Sequence, residues 1–257
     1  MEYIFPFGQK LHPVVQTDTT PKKAFVLGVY ASAVHARWFN DEGNQLVAAL
    51  AVASEPEIFW TGHDAAEQIA RIKLPPGAGK LEPANRNLNG PSGEALDKLY
   101  LNPLGLARKD TWLCDIIPET RLNPNQQNAI KRAYNPIRHK LNLPKVTIPK
   151  FRQSELDSEL RRKAILEELF NSQAETLILL GDLPIKHFLN YFTDQKHENL
   201  ASFGDTADTY GRCHVMNISG KKFQVIPLCH PRQAQRLGAS SKIWYELHQQ
   251  WIQKRKQ

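Results

Sequence analysis

The stretch TLILLGDLPIKHFLNYF (176–192) decides the fold. It opens on an unbroken apolar run, 176–180, too short for a helix and without the alternation of a half-buried strand, as expected of a strand covered on both faces. Gly181 punctuates it, and 183–192 returns its apolar residues at helical spacing. A buried strand, a glycine turn and a helix make one half of a βαβ unit. Three further runs have the character of the first: AFVLGVY (24–30), TWLCDII (111–117) and FQVIPLC (223–229). A fifth, LVAALAVAS (46–54), fits a strand or a helix. Helical patterns lie at 93–101, 125–134 and 154–170, the last with Ser154 as its N-cap and Leu156, Leu160, Ala164, Leu169 and Phe170 along one face. The chain closes on SSKIWYELHQQWIQKR (240–255), with Ile243, Trp244, Leu247 and Trp251 as an apolar stripe.

Alternating strands and helices predict an α/β fold, a three-layer α/β/α sandwich around a mostly parallel, roughly four-stranded sheet. The sequence reads as a single domain over 1–257, with its core at about 22–254 and residues 1–21 as an N-terminal extension. Ligands of such sheets bind beyond the carboxyl ends of the strands, which points to Gly28 to His35, Asp115, Asp182 and His230.

Composition narrows the function classes. No apolar run approaches the roughly 18 to 20 residues of a membrane span, and MEYIFPFGQK lacks the basic start and apolar stretch of a secretory signal. Cys114, Cys213 and Cys229 include no CxxC pair, so neither a disulfide framework nor a zinc or iron–sulfur site is expected, and reduced thiols suit a cytoplasmic chain. The expectation is no membrane, no metal, no cofactor and no obligate protein partner. A formal net charge of +7 favours a polyanionic partner. Two irregular regions stand out: PPGAGKLEPANRNLNGPSG (75–93), a long loop, and 118–153, whose lysines and arginines suit a phosphate backbone.

Four segments then resemble, in order, landmarks of the uracil-DNA glycosylase superfamily. LGVYASAVHARW (27–38) is similar to its first motif, a strand entering a turn that shapes the base pocket and places the attacking water. NGPSGEALDKLYLNPLGLARKDTWLCDIIP (89–118) resembles the segment in which a small-residue loop opens a helix and the next strand presents a base reader. LILLGDLPIKHFL (177–189) resembles the superfamily's strand, glycine turn and helix. IPLCHPRQAQRLG (226–238) resembles the second catalytic motif, in which His-Pro begins a loop entering the DNA minor groove.

The resemblance implies a monofunctional DNA glycosylase acting on duplex or single-stranded DNA with its target base flipped out. Hydrolysis of a pyrimidine N-glycosidic bond leaves negative charge on the departing base, so a donor aimed at the base O2 stabilises charge that exists only in the transition state. His230 is that donor. Gln233, Gln235, Arg236 and Leu237 follow it and are candidates to hold the vacated stack open, with Arg232 and Ser92 as further DNA contacts. Gly28, Tyr30, Ala31, Ser32 and Phe59 are assigned to the base pocket, and Tyr30, Trp38, Phe59 and Trp60 are the aromatics available to stack on a base.

Two departures from the superfamily pattern bear on substrate. Val29-Tyr30-Ala31 offers no carboxylate or amide to orient water, so a water-orienting role passes to His35, Asp41 or Glu55, of which Glu55 is chosen as the residue that ends an apolar run. Asp115 stands where the superfamily places an asparagine. An ionised carboxylate only accepts hydrogen bonds, which suits the cytosine N4 amino group and points to a modified cytosine, as in foreign or phage DNA. Two alternatives stay open: ordinary uracil, and a catalytically silent module that senses a modified base.

Overall fold

The computed structural model describes residues 2–237 and 241–256, Ser241 by its backbone alone. The chain gathers into two compact units. One comprises Met1–Val14, Tyr30–Gly93 and Pro118–Arg152; the other comprises Val15–Val29, Glu94–Ile117 and Gln153–Gln257.

The second unit is mixed α/β and holds a mostly parallel sheet. Its strands are β1 (Ala24–Tyr30), β5 (Thr111–Ile117), β6 (Thr176–Leu180), β7 (His214–Ile218) and β8 (Lys221–Leu228), in the order β5-β1-β6-β8-β7. The four runs read from the sequence are four of these strands, and β1 and β5 have the expected bounds. β6 pairs in parallel with β1 on one side and with β8 on the other. The fifth strand is an addition to the four expected: β7 pairs antiparallel with β8. Ser219 and Gly220 join them, both at positive φ (47° and 87°), the backbone a two-residue hairpin requires.

At the other edge, side chains stand where a neighbouring strand would be. Gln16 Oε1 accepts the Leu113 N–H at 3.3 Å, while the Arg161 guanidinium donates to the carbonyls of Asp115 (2.7 Å) and Ile116 (3.1 Å). Arg161 is held in that pose by Glu168 at 2.7 Å. Both belong to the helix Glu159–Asn171, whose N-cap is Ser158 rather than the expected Ser154: the Ser158 hydroxyl accepts the Arg161 N–H. The helix buries Arg162, Ile165 and Leu169 rather than the expected face, leaving Leu160 83% exposed. In the helix Ser241–Arg255 the buried stripe is Leu247, Trp251 and Ile252, and Ile243 faces solvent.

The first unit holds a separate antiparallel sheet in the order β3-β2-β4, formed by β2 (Ala33–Phe39), β3 (Gln45–Ser54) and β4 (Lys80–Pro83). The ambiguous run 46–54 is therefore strand. Phe7 packs edge-on against Trp38 and Tyr134 at its core, and those two rings are tilted to each other, with centroids 5.1 to 5.9 Å apart. Asn89 acts as a surrogate strand to His35: its Oδ1 accepts the His35 N–H (2.8 Å) and its Nδ2 donates to the His35 carbonyl (2.9 Å). The NGPSG loop lies against the backbone of 59–62 so closely that a Cβ on Gly90 or Gly93 would fall 2.0 to 2.1 Å from Thr61 and Phe59 main-chain atoms. Only glycine fits there. Among the described residues no helix is long and apolar enough to cross a membrane.

Candidate active site

β1 has β5 on one side and β6, reached later in the chain, on the other, so the winding direction of the sheet reverses between β1 and β6. Crevices for ligands open at such reversals, outside the carboxyl ends of the strands. At the end of β6 stands Gly181, with φ +90°. Its N–H donates to the Leu228 carbonyl at 2.8 Å, and a Cβ in its place would sit 3.3 Å from the Cβ of His230.

His230 follows the last residue of β8 by two. Proline at 231 holds it extended (φ −65°, ψ 145°) and itself takes the first position of the short helix Pro231–Ala234. His230 is the N-cap: its Nδ1 accepts the Arg232 N–H at 3.2 Å, and its own N–H donates to Gln233 Oε1 at 3.0 Å. A lone pair is thereby required on Nδ1, so the ring is neutral and carries its proton on Nε2. Burial, with the nearby Arg232 charge, pushes the imidazolium down to about 4. A neutral imidazole that donates through Nε2 is an electrophile rather than a proton source, a role known for histidines capping helix N-termini.

The residue before it is clamped. Tyr100 Oη donates to the Cys229 carbonyl (2.8 Å), and Tyr210 Oη accepts the Cys229 N–H (3.0 Å) while lying 2.7 Å from His248 Nδ1. His248 Nε2 lies 2.9 Å from the Leu99 carbonyl. One assignment satisfies every group: His248 donates to Leu99, and Tyr210 donates to His248. Burial pushes the Cys229 thiol up to about 11, which removes it as a nucleophile at neutral pH.

Asp115 is buried inside β5, two residues short of the strand end at which the sequence placed it. Burial raises its carboxyl to about 7 despite the opposing Arg161 charge, so near neutrality it is divided between acid and carboxylate. β5 and β8 are three strand spacings apart, roughly 14 Å. Asp115 and His230 therefore sit on strands at well-separated positions across the sheet. Gly28, the remaining candidate in this unit, is buried in β1. Asp182 serves the fold, accepting the Leu200 N–H at 2.8 Å.

Of the loop candidates, Arg232 and Arg236 are exposed, Gln233 is engaged in capping His230, and Gln235 Nε2 bonds back to Pro231 at 3.3 Å. Arg236 has φ +60° and ends the helix in a left-handed turn, with Leu237 N–H bonded to the Arg232 carbonyl at 2.8 Å and the Leu237 side chain 39% exposed.

The other assigned residues belong to the first unit. Ala31 and Ser32 are the whole link from β1 to β2, so most of 31–38 is strand instead of a long pocket-forming turn. Tyr30 stacks on Phe151 with centroids 5.2 Å apart. Phe59 is half-buried at φ +50°, and Ser92 is partly exposed in the helix Pro91–Ala95. Trp38 and Trp60 are core residues with satisfied indole N–H groups, so neither is a stacking platform. Glu55 is buried just beyond β3, where a solvated loop carboxylate would not be. His35 is buried against Gln126 at 3.0 Å, and Asp41 is exposed.

Sequence reasoning missed Gly181, Tyr100, Tyr210, His248 and Arg161. The glycine turn after β6 signalled the first of these; the others act through contacts between segments far apart in sequence. No family model matches the chain. No curated protein matches it in sequence either.

Proposed function

We propose that the chain is a monofunctional DNA glycosylase with a uracil-DNA glycosylase-like core, hydrolysing the N-glycosidic bond of a flipped pyrimidine to leave an abasic site. The observation that carries the reading is His230: a neutral imidazole at a strand end, its Nδ1 occupied by the Arg232 N–H and its Nε2–H left for a ligand. In that state it donates to the developing negative charge at base O2 without surrendering a proton. Exposed Arg232, Arg236 and Leu237 beyond it suit contact with the DNA backbone and the vacated stack.

Asp115 brings a second base within reach. As an acid it presents one donor and one acceptor, the complement of uracil O4 and N3–H; as a carboxylate it only accepts, which suits a cytosine N4 amino group. A carboxyl titrating at about 7 therefore favours uracil below that pH and a modified cytosine above it.

The test is excision from synthetic duplexes carrying uracil, hypoxanthine, 5-hydroxymethylcytosine or a glycosylated cytosine, scored as alkali-labile sites. His230→Ala is expected to lower excision by at least about a hundredfold, the cost of losing one transition-state donor, while DNA affinity holds and the lost helix cap costs only about 0.5–2 kcal/mol of stability. Wild-type excision persisting in His230→Ala overturns the assignment. Binding without excision on every substrate moves the chain to the class of base-sensing modules.

A further inference from the structure

Charge in this chain is concentrated. Residues 118–152 hold eight lysines and arginines against one acidic residue, Glu119, a surplus of seven that equals the formal net charge of the whole protein. Glu119 is already paired with Arg121.

Within the first unit this segment folds around a cleft of ≈ 630 Å³, inside the range of about 300–1,000 Å³ typical of ligand sites. One wall is the helical run Pro124–Ala129, Ile130–Tyr134 and Asn135–Arg138; the other is the extended chain at 145–150. Its middle turn is π-helical, next to Pro136, whose ring an unbroken α-helix could not accept. The walls are tied by Tyr134 Oη, which donates to the Pro144 carbonyl at 2.8 Å, and by the Leu122 N–H on the Pro149 carbonyl at 3.0 Å. Leu122, Ile130 and Ile148 give the cleft a buried apolar floor, and Lys131, Arg138, Lys145 and Lys150 line its rim. No carboxylate lines it, and among the described residues none of those four cations has an ion-pair partner.

We propose that this cleft binds a single strand of nucleic acid, its phosphates on the four rim cations and an unstacked base or sugar over the apolar floor. A cationic groove combined with apolar surface is the usual chemistry of sequence-independent single-strand binding. A free nucleotide shares that chemistry, but a rim of four unpaired cations matches a run of phosphodiesters better than one ligand. The site stands whether or not the chain excises a base.

The test is fluorescence anisotropy with labelled oligothymidylate over a salt series. The combined variant Lys131→Gln, Arg138→Gln, Lys145→Gln, Lys150→Gln is compared with a charge-matched control, Lys80→Gln, Lys98→Gln, Lys163→Gln, Lys254→Gln, drawn from lysines in surface ion pairs. Removing one cation from a phosphate lowers the slope of log affinity against log salt by about 0.7, so the cleft variant is expected to lose roughly 3 from the slope and at least tenfold in affinity at low salt. The control is expected to lose little of either. The exposed single variants Lys131→Glu and Lys145→Glu repeat the comparison if the combined variant melts early. Equal losses in both sets, or no loss in the cleft set, overturn the proposal, as does displacement of the oligonucleotide by micromolar ATP. Oligonucleotide binding that needs the cleft, in a protein that excises nothing, leaves the cleft standing and removes the glycosylase reading; excision with a dispensable cleft does the reverse.

Discussion

His230 Nδ1 accepts the backbone N–H of Arg232 at 3.2 Å, and that hydrogen bond sets the protonation state of the imidazole. A second proton on the ring would face one N–H with another and break the helix cap, which adds to the cost of burial and of the Arg232 charge. The group is thus ready as a neutral donor throughout the physiological range.

The pH dependence follows from the two displaced groups. His230 charges only as pH falls through about 4, and Asp115 ionises as pH rises through about 7. Single-turnover excision of uracil is expected to plateau between those values and to fall about tenfold per pH unit above the upper one, as one required proton is lost. Asp115→Asn keeps a donor and an acceptor at every pH, so the alkaline limb should vanish; a limb that survives the substitution removes Asp115 from base reading. Stability carries the same signature. Because the folded carboxyl titrates above its ordinary 3.8, stability is fullest below that value and is lost as pH rises through about 7. The advantage of Asp115→Asn in chemical denaturation should therefore grow between those values and level off above the upper one.

Gly181→Ala combines a left-handed backbone that alanine resists with a new methyl 3.3 Å from the His230 Cβ. A loss of about 1–3 kcal/mol is expected in urea unfolding, together with a kcat decrease larger than that of an alanine substitution on the exposed face of 159–171. An unchanged kcat would show that His230 tolerates displacement.

Tyr210→Phe deletes one hydroxyl and leaves two buried groups, the Cys229 N–H and His248 Nδ1, without their partner. The expected cost is about 1–3 kcal/mol of stability. Since Cys229 directs the next residue, kcat should fall with KM nearly constant, which steady-state kinetics on a uracil duplex would read. A pure stability loss would confine the tyrosine to the fold.

Arg236→Gly should act in the opposite sense on stability. Arginine at φ +60° bears a strain of about 1 kcal/mol that glycine does not. The variant is expected to melt a few degrees higher and to bind DNA more weakly, with a smaller salt dependence. Unchanged affinity would exclude Arg236 from the DNA contact.

The central sheet was legible in the sequence because strands buried on both faces leave largely apolar runs: 24–30 is one, and 111–117 is interrupted only by Thr111 and Asp115. The small sheet was not. β2 carries His35 and Arg37 among its apolar residues and begins two residues after β1, so it passes for the continuation of a turn. Ser154 and Ser158 are each followed by a glutamate and a leucine, and only the observed Arg161 N–H bond separates them. His230 was visible through its proline, which dictates local geometry. Its supports were not, because Tyr100, Tyr210 and His248, which fix the neighbouring Cys229, come from 18 to 130 residues away from it in the chain. The burial of Glu55 and the raised titration of Asp115 likewise depend on what the rest of the chain packs around them.

The side chains along the outer margin of β5 have a consequence beyond this site. An uncovered margin offers its main-chain groups to any extended peptide and is a common starting point for aggregation and domain exchange. Gln16 and Arg161 occupy the Leu113 N–H and the Asp115 carbonyl from within the same molecule, so a sixth strand would have to displace both side chains to pair there. Intermolecular pairing, when heat or concentration provokes it, is left to begin at β7, where Val215 stands 72% exposed.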